Sequence, residues 1–185
     1  MIPPDRYALP ARVLHWAMAM MILAMLFVGA GMVSTASWAY PALLTWHRPL
    51  GVTILVVAML RLLVRLTHRA PPLPAALPRL QTVVARGSHY FLYALMFAMP
   101  LIGWAMLSAA GTPVQLWPGT ILPPILSHSL RLFGWLSWVH GLLGYGFFLL
   151  ILGHLGAALF HGLIRRDGVL RSMASFGTRS DRARK

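Results

Sequence analysis

The sequence predicts an all-α integral membrane protein, a four-helix transmembrane bundle with its N- and C-termini cytoplasmic. Three observations predict it. The chain of 185 residues is 58% hydrophobic and only 10% charged, whereas soluble domains carry about 25% charged residues. Four apolar runs each reach the roughly 20 residues needed to cross a bilayer core. Positive residues gather in alternate connections, with two in the N-terminal lead, five around the second connection and seven in the C-terminal tail, against only Arg48 and Arg131 on the other side. The positive-inside rule therefore places both termini and the arginine-rich loop in the cytoplasm.

The elements follow in order within a single domain, 1–185. Met1 to Arg12 is a polar lead. The first span covers 13–33. It is longer than the 7–15 residues of a signal-peptide core and contains His15, so it is read as a retained helix. A short uncharged connection leads to the second span, 46–66, where Arg61 and Arg65 are expected to snorkel toward the headgroups. The connection 67–88 is rich in proline and arginine, and its last residues are candidates for early helix. The third span, 89–110, contains Pro100, a kink that membrane helices tolerate. The connection 111–134 carries Pro113, Pro118, Pro123 and Pro124. A short interfacial helix is expected at 125–135, with Trp117, Trp135 and Trp138 at headgroup level. The fourth span covers 137–163, and a basic tail, 165–185, ends the chain.

Composition excludes several classes. The net charge of +13 flanks apolar spans instead of forming one basic face, so no nucleic acid is expected as a partner. Cysteine is absent, which removes disulfides, thiolate-held iron–sulfur clusters and haem attached through Cys-x-x-Cys-His. The acids are only Asp5, Asp167 and Asp181, and none lies in a span. A transition-metal transporter, which usually mixes carboxylates into its membrane site, is therefore disfavoured.

The histidines carry the chemistry. An imidazole inside a bilayer is costly to bury and marks function by default. His140 and His154, fourteen residues apart, lie roughly 21 Å apart along a helix and point within about 40° of each other. The topology sorts the rest by depth. His47 and His140 share the outer level; His15, His89 and His154 share the inner one; His161 lies near the inner interface. A metalloporphyrin held by two axial imidazoles needs two histidines at one depth. The outer level offers only His47 with His140. At the inner level His154 pairs with either His15 or His89, and depth does not choose. Gly51 and Gly144, each one turn after an outer histidine, would let a flat macrocycle lie against the backbone, although glycine also serves close helix contact. His68 and His128 read as loop residues, and the many methionines as apolar filler.

An ordered set of motifs now stands out: Arg12-x-x-His15-Trp16 in span one, His47-x-x-x-Gly51 in span two, Gly87-x-His89 in span three, and Trp138-x-His140 followed by His154 and His161 in span four. From Tyr7 to about Met173 this resembles the bacterial cytochrome b561 family of small four-helix dihaem membrane proteins. The resemblance implies two haem b groups, the cytoplasmic-side one ligated by His15 and His154 and the periplasmic-side one by His47 and His140. It implies that His89 and His161 are free for a quinone on the cytoplasmic side.

It also implies a superoxide oxidase-like oxidoreductase of the bacterial inner membrane, multi-pass, taking electrons from superoxide or another periplasmic donor and giving them to ubiquinone. Arg48 and Arg131, on an outer face without acids, suit the steering of a small anion, though arginines at an interface also serve as ordinary anchors. The alternative is a cytochrome b anchor subunit that receives electrons from a docked periplasmic dehydrogenase or hydrogenase.

Overall fold

The computed structural model describes residues 6–34, 38–72, 74 and 77–175. Asp5, Asp181, Lys185 and the distal basic tail lie outside them. Four long helices dominate: α1 (Leu9–Ser34), α2 (Ala39–Thr67), α3 (Arg79–Ala109) and α4 (Leu130–Leu159). Each is long and apolar enough to cross a membrane. α4 runs on through a π-helical turn, Phe160–Arg165, and a short α5 (Val169–Ala174) follows. All four helices start before the expected spans. α3 does so most, starting at Arg79 because the polar residues before His89 continue its hydrogen-bond ladder. Pro49 and Pro100 lie within uninterrupted helix.

The helices pack as α1 on α2, α2 on α3 and α3 on α4. α1 and α4 make no comparably close approach among the described residues. The buried cluster is small: Met18, Ile22, Ile54, Ala58, Met96 and Phe147. Most large apolar side chains face outward, among them Phe27, Val33, Leu80, Phe91 and Ile164. In lipid this is the expected inversion, since hydrocarbon is as good a neighbour for leucine as another helix is.

The two ends differ. At one end, the connection between α3 and α4 forms an antiparallel hairpin of β1 (Val114–Trp117) and β2 (Thr120–Leu122). Its turn uses Gly119 at φ 85°, a backbone region that favours glycine. The expected interfacial helix over 125–135 is corrected: 125–129 is not helical and α4 begins at Leu130. Ser129 caps α4 by accepting from the Leu132 N–H at 3.3 Å, the usual role of serine there. The buried Ser108 hydroxyl accepts from the Ile125 N–H at 3.1 Å, and Trp104 Nε1 donates to the Pro123 carbonyl at 2.9 Å. These bonds hold 123–125 against α3 and leave its backbone no helical ladder.

At the other end, the arginine end, Arg166 (φ 52°) and Gly168 (φ 86°) turn the chain back. α5 then docks on the start of α1. The Tyr7 N–H donates to Ser172 O at 3.2 Å, Trp16 Nε1 to Met173 O at 3.3 Å, and Arg12 to Ser175 O.

The sequence repeats across the two helix pairs. Arg12, His15, Met25 and Gly29 on α1 recur at one constant offset as Arg86, His89, Met99 and Gly103 on α3. His47, Gly51 and His68 recur at another as His140, Gly144 and His161. Core positions correspond as well, Ile22 with Met96 and Ile54 with Phe147. The bundle is thus two related helical hairpins.

Candidate haem-binding levels

Near the hairpin end, His47 on α2 faces His140 on α4, with ring centroids 6.1 Å apart and planes at 65°. Near the arginine end, His15 on α1 and His154 on α4 are 6.3 Å apart at 68°. His89 on α3 is closer to His154, at 5.5 Å and 66°. Helix α4 is unbroken between His140 and His154, so the levels are separated by roughly 21 Å of helix.

These separations bear on what the pairs can hold. Two in-line metal–imidazole bonds of about 2.0 Å, with half a ring beyond each nitrogen, put ring centres roughly 6.3 Å apart. His47–His140 and His15–His154 fit that spacing, and His89–His154 is short of it. The two pairs face each other between α1 and α4 and between α2 and α4, helices that approach each other less closely than α1 and α2 or α3 and α4 do. Nδ1 of His47 and of His140 is buried without a hydrogen-bond partner. Such unmet buried polar atoms cost about 1–3 kcal/mol each and are the kind of valence a metal site uses. Among the described residues no three His, Cys, Asp or Glu side chains converge to chelate a bare ion. Two facing imidazoles at a level would suit a metal already held in a prosthetic group.

Glycines shape the hairpin level. A Cβ at Gly29 would lie 3.9 Å from His47 Cε1, and one at Gly103 3.5 Å from His140 Cε1. The rings thus lie against the bare backbones of α1 and α3. Gly51 and Gly144 behave differently from the sequence expectation. The space above them is met by the Met25 and Met99 methyl groups, at 3.6 and 3.7 Å from the position of a Cβ.

The remaining residues fall as follows. Arg48 is half-buried, with its Nε lacking a partner; Arg131 is exposed in the first turn of α4. His68 caps the end of α2, bonding Thr67 Oγ1 at 3.0 Å and Val64 O at 3.2 Å. His128 sits against Gly111 at the hairpin end. Arg61 does not simply reach outward as expected. Its guanidinium is half-buried, 5.8 Å from the Tyr93 ring centre, and Nη1 donates to Ala11 O at 3.5 Å.

His161 stands apart from His89 and the inner cluster in its bonding. Its Nδ1 is 2.6 Å from Asp167 Oδ2, and Asp167 Oδ1 accepts from the Val169 N–H at 3.3 Å. Arg165 lies 3.8 Å from the same carboxylate and donates to Gln81 on α3 at 2.8 Å. Partial burial would raise the Asp167 carboxyl, but the His161 hydrogen bond, the Val169 N–H and the nearby charges outweigh it, so it is held below its ordinary value. A π-helical turn of the kind often found at functional sites carries His161.

Features of the prokaryotic cytochrome b561 family match residues 6–176. The chain belongs to that family. It is 27% identical over 174 residues to cytochrome b561 homolog 2 of Escherichia coli K12, covering 92% of each chain. It is 27% identical over 164 residues to the probable superoxide oxidase CybB of Yersinia pestis, covering 86% of this chain and 90% of that one. It is 25% identical over 174 residues to cytochrome b561 homolog 1 of Escherichia coli K12, covering 91% and 97%. Cytochromes b561 are membrane electron-transfer proteins that bind haem b, and this one is a multi-pass bacterial membrane protein.

Four residues of the site were not singled out from the sequence. Gly29 and Gly103 were visible in principle, since Met-x-x-x-Gly occurs once on α1 and once on α3. Arg61 becomes notable only when the two hairpins are aligned. Asp167 had one signal, as an isolated acid six residues after a histidine.

Proposed function

We propose that this cytochrome b561 holds two haem b groups, one between His47 and His140 and one between His15 and His154, and passes electrons from periplasmic superoxide to ubiquinone in the bacterial inner membrane. The observation that carries the reading is the pair of imidazole facings, 6.1 and 6.3 Å, at two levels of one bundle. A haem held by these histidines would supply a one-electron couple. Overall, two superoxide ions lose one electron each and become dioxygen, while the quinone takes up two electrons and two protons and becomes quinol.

The chain's own residues prepare both ends. With the arginine-rich connections cytoplasmic, the His47–His140 level lies toward the periplasm. Arg48 and Arg131 there draw a small anion inward. At the cytoplasmic end His161 meets the quinone, with His89 beside the inner pair. The Asp167 carboxylate accepts from Nδ1 of His161 and so fixes the ring. Once the pair has taken a proton from cytoplasmic water, Nε2–H can donate to a quinone carbonyl.

Stopped-flow mixing of the purified protein with superoxide tests this. Haem absorbance should rise to its reduced form and fall back when excess ubiquinone is present. Replacing Arg48 and Arg131 together by Gln should slow the rise several-fold at low salt, with the difference shrinking as salt is added. A haem that superoxide leaves oxidised, but that a co-purifying iron–sulfur partner reduces, would transfer the protein to the anchor-subunit reading.

A further inference from the structure

We propose that Arg61 raises the reduction potential of the inner haem above that of the outer one and so gives electron transfer its direction across the bundle. This rests on the two-haem reading above. The argument starts from the internal repeat. The offset that carries His47 to His140 and Gly51 to Gly144 carries Arg61 to His154. The outer level is symmetric, with a histidine on each of α2 and α4. At the inner level the α2 position opposite His154 holds a guanidinium where the repeat would place an imidazole.

That cation lies close to the inner cluster, since its partners Ala11 and Tyr93 are one turn before His15 and one turn after His89. Arg61 is half-buried against the Tyr93 ring and the Ala11 carbonyl, and its charge acts on His15, His89 and His154 alike. Arg65, stacked 6.0 Å from the Tyr7 ring, acts on His89 as well. The outer level has two arginines of its own, Arg48 beside His47 and Arg131 in the first turn of α4, but neither occupies a position that the repeat gives to a histidine. Around the inner cluster the charged groups are Arg12 on α1, Arg61 and Arg65 on α2, and the His161–Asp167–Arg165 group after α4. The carboxylate of that last group, the one described acid, is engaged by His161 and Arg165. The inner level is therefore the more crowded with cations, and Arg61 is the one that stands in a histidine's place.

A bis-imidazole haem carries one more positive charge at its iron when oxidised than when reduced. A fixed cation nearby disfavours the oxidised form, and nearby charge is one of the protein's levers on haem potential. The two pairs have alike ligands and nearly equal separations, so the ligands themselves give no reason for the two potentials to differ.

Equilibrium redox titration of the purified holoprotein, followed optically, tests the inference without turnover. Wild type should show two one-electron transitions. His140→Gln should retain the higher and lose the lower. Arg61→Gln should lower the inner transition so that the equilibrium favours its reduction about tenfold less, or about 59 mV for one electron, with the outer transition unmoved. Arg61→Lys, which keeps the charge, should restore most of the difference. An inner transition unmoved in Arg61→Gln overturns the proposal, including where haem content falls and Arg61 acts only as an anchor for a haem carboxylate. Retention of the lower transition in His140→Gln also overturns it, and does not depend on any Arg61 variant folding. A wild-type protein with one transition or none removes the two-haem reading instead.

Discussion

At the hairpin level, histidines on α2 and α4 face each other while glycines on α1 and α3 back them. At the arginine level every corner changes. α1 and α3 carry His15 and His89, α4 carries His154, and α2 carries Arg61. The first level offers exactly two imidazoles for one flat group and leaves nothing over. The second offers three, with a cation among them. One hairpin plan, used twice, thus carries two facing imidazoles at one level and three imidazoles with a cation at the other.

The largest effects should come from removing ligands. His140→Gln and His154→Gln should each lower haem per protein to half, measured as pyridine haemochrome, and each should delete a different redox transition. The inner level then separates its two candidates. His15→Gln should lose the inner haem, because the 6.3 Å facing is His15's. His89→Gln should keep it, because 5.5 Å is too short for in-line ligation. The opposite pattern would reassign the ligand and leave His15 as the spare imidazole.

Next in size is the group beyond the inner level. Asp167→Asn should slow the reoxidation of chemically reduced protein by a short-tail ubiquinone by about 10- to 100-fold, the usual range for losing a positioning carboxylate or an acid–base partner. His161→Gln should do the same. The double variant should be no slower than either single one, since both remove one unit. Additive losses would show that Asp167 works on something other than His161.

Much of this arrangement was legible before any coordinates. Four apolar runs fix four helices because a bilayer demands both length and an internally satisfied backbone. Histidine depth follows from where each lies in its run, and the His47–His140 facing follows from depth alone. What could not be read was lateral. Depth does not say which of three inner imidazoles faces which, and hydropathy does not say that Arg61 packs on Tyr93 instead of reaching for the headgroups. The hairpin at 114–122 was obscured by its prolines, which suggest an irregular connection although Pro118-Gly119 is itself a turn signal. Asp167 was passed over because the C-terminal stretch reads as a basic tail. Its partner, His161, is reached only through the π-helical turn and the left-handed residues after it.

A smaller effect should separate the glycines at the hairpin level. Gly103→Val should reduce outer haem content and broaden its spectrum, because branches on a Cβ already 3.5 Å from His140 Cε1 must push the ring. Gly29→Val should do so less, its margin being 3.9 Å. Gly87→Ala, with nothing within 4 Å, is the control and should change neither. Equal losses at all three would mean that helix packing, and not ring clearance, selects glycine here.

The smallest effect distinguishes the two ends by acid. Asp167 is held below the ordinary carboxyl value of 3.8 in the folded chain. A carboxyl depressed by folding stabilises the fold above its unfolded value, and that contribution is lost as pH falls through the depressed folded value. As pH falls below 3.8 and through that depressed value, then, Asp167 should take up a proton and release His161 and the Val169 N–H, and α5 should loosen from Tyr7 and Trp16. The hairpin end contains no acid and should not respond. Limited proteolysis by pepsin across this window should open cleavage near α5 while the 114–122 hairpin stays resistant. In Asp167→Asn the α5 cleavage should lose its pH dependence. If the hairpin opened in step with α5, the two ends would unfold as one cooperative unit, and the acid response would belong to the bundle as a whole instead of to this one carboxylate.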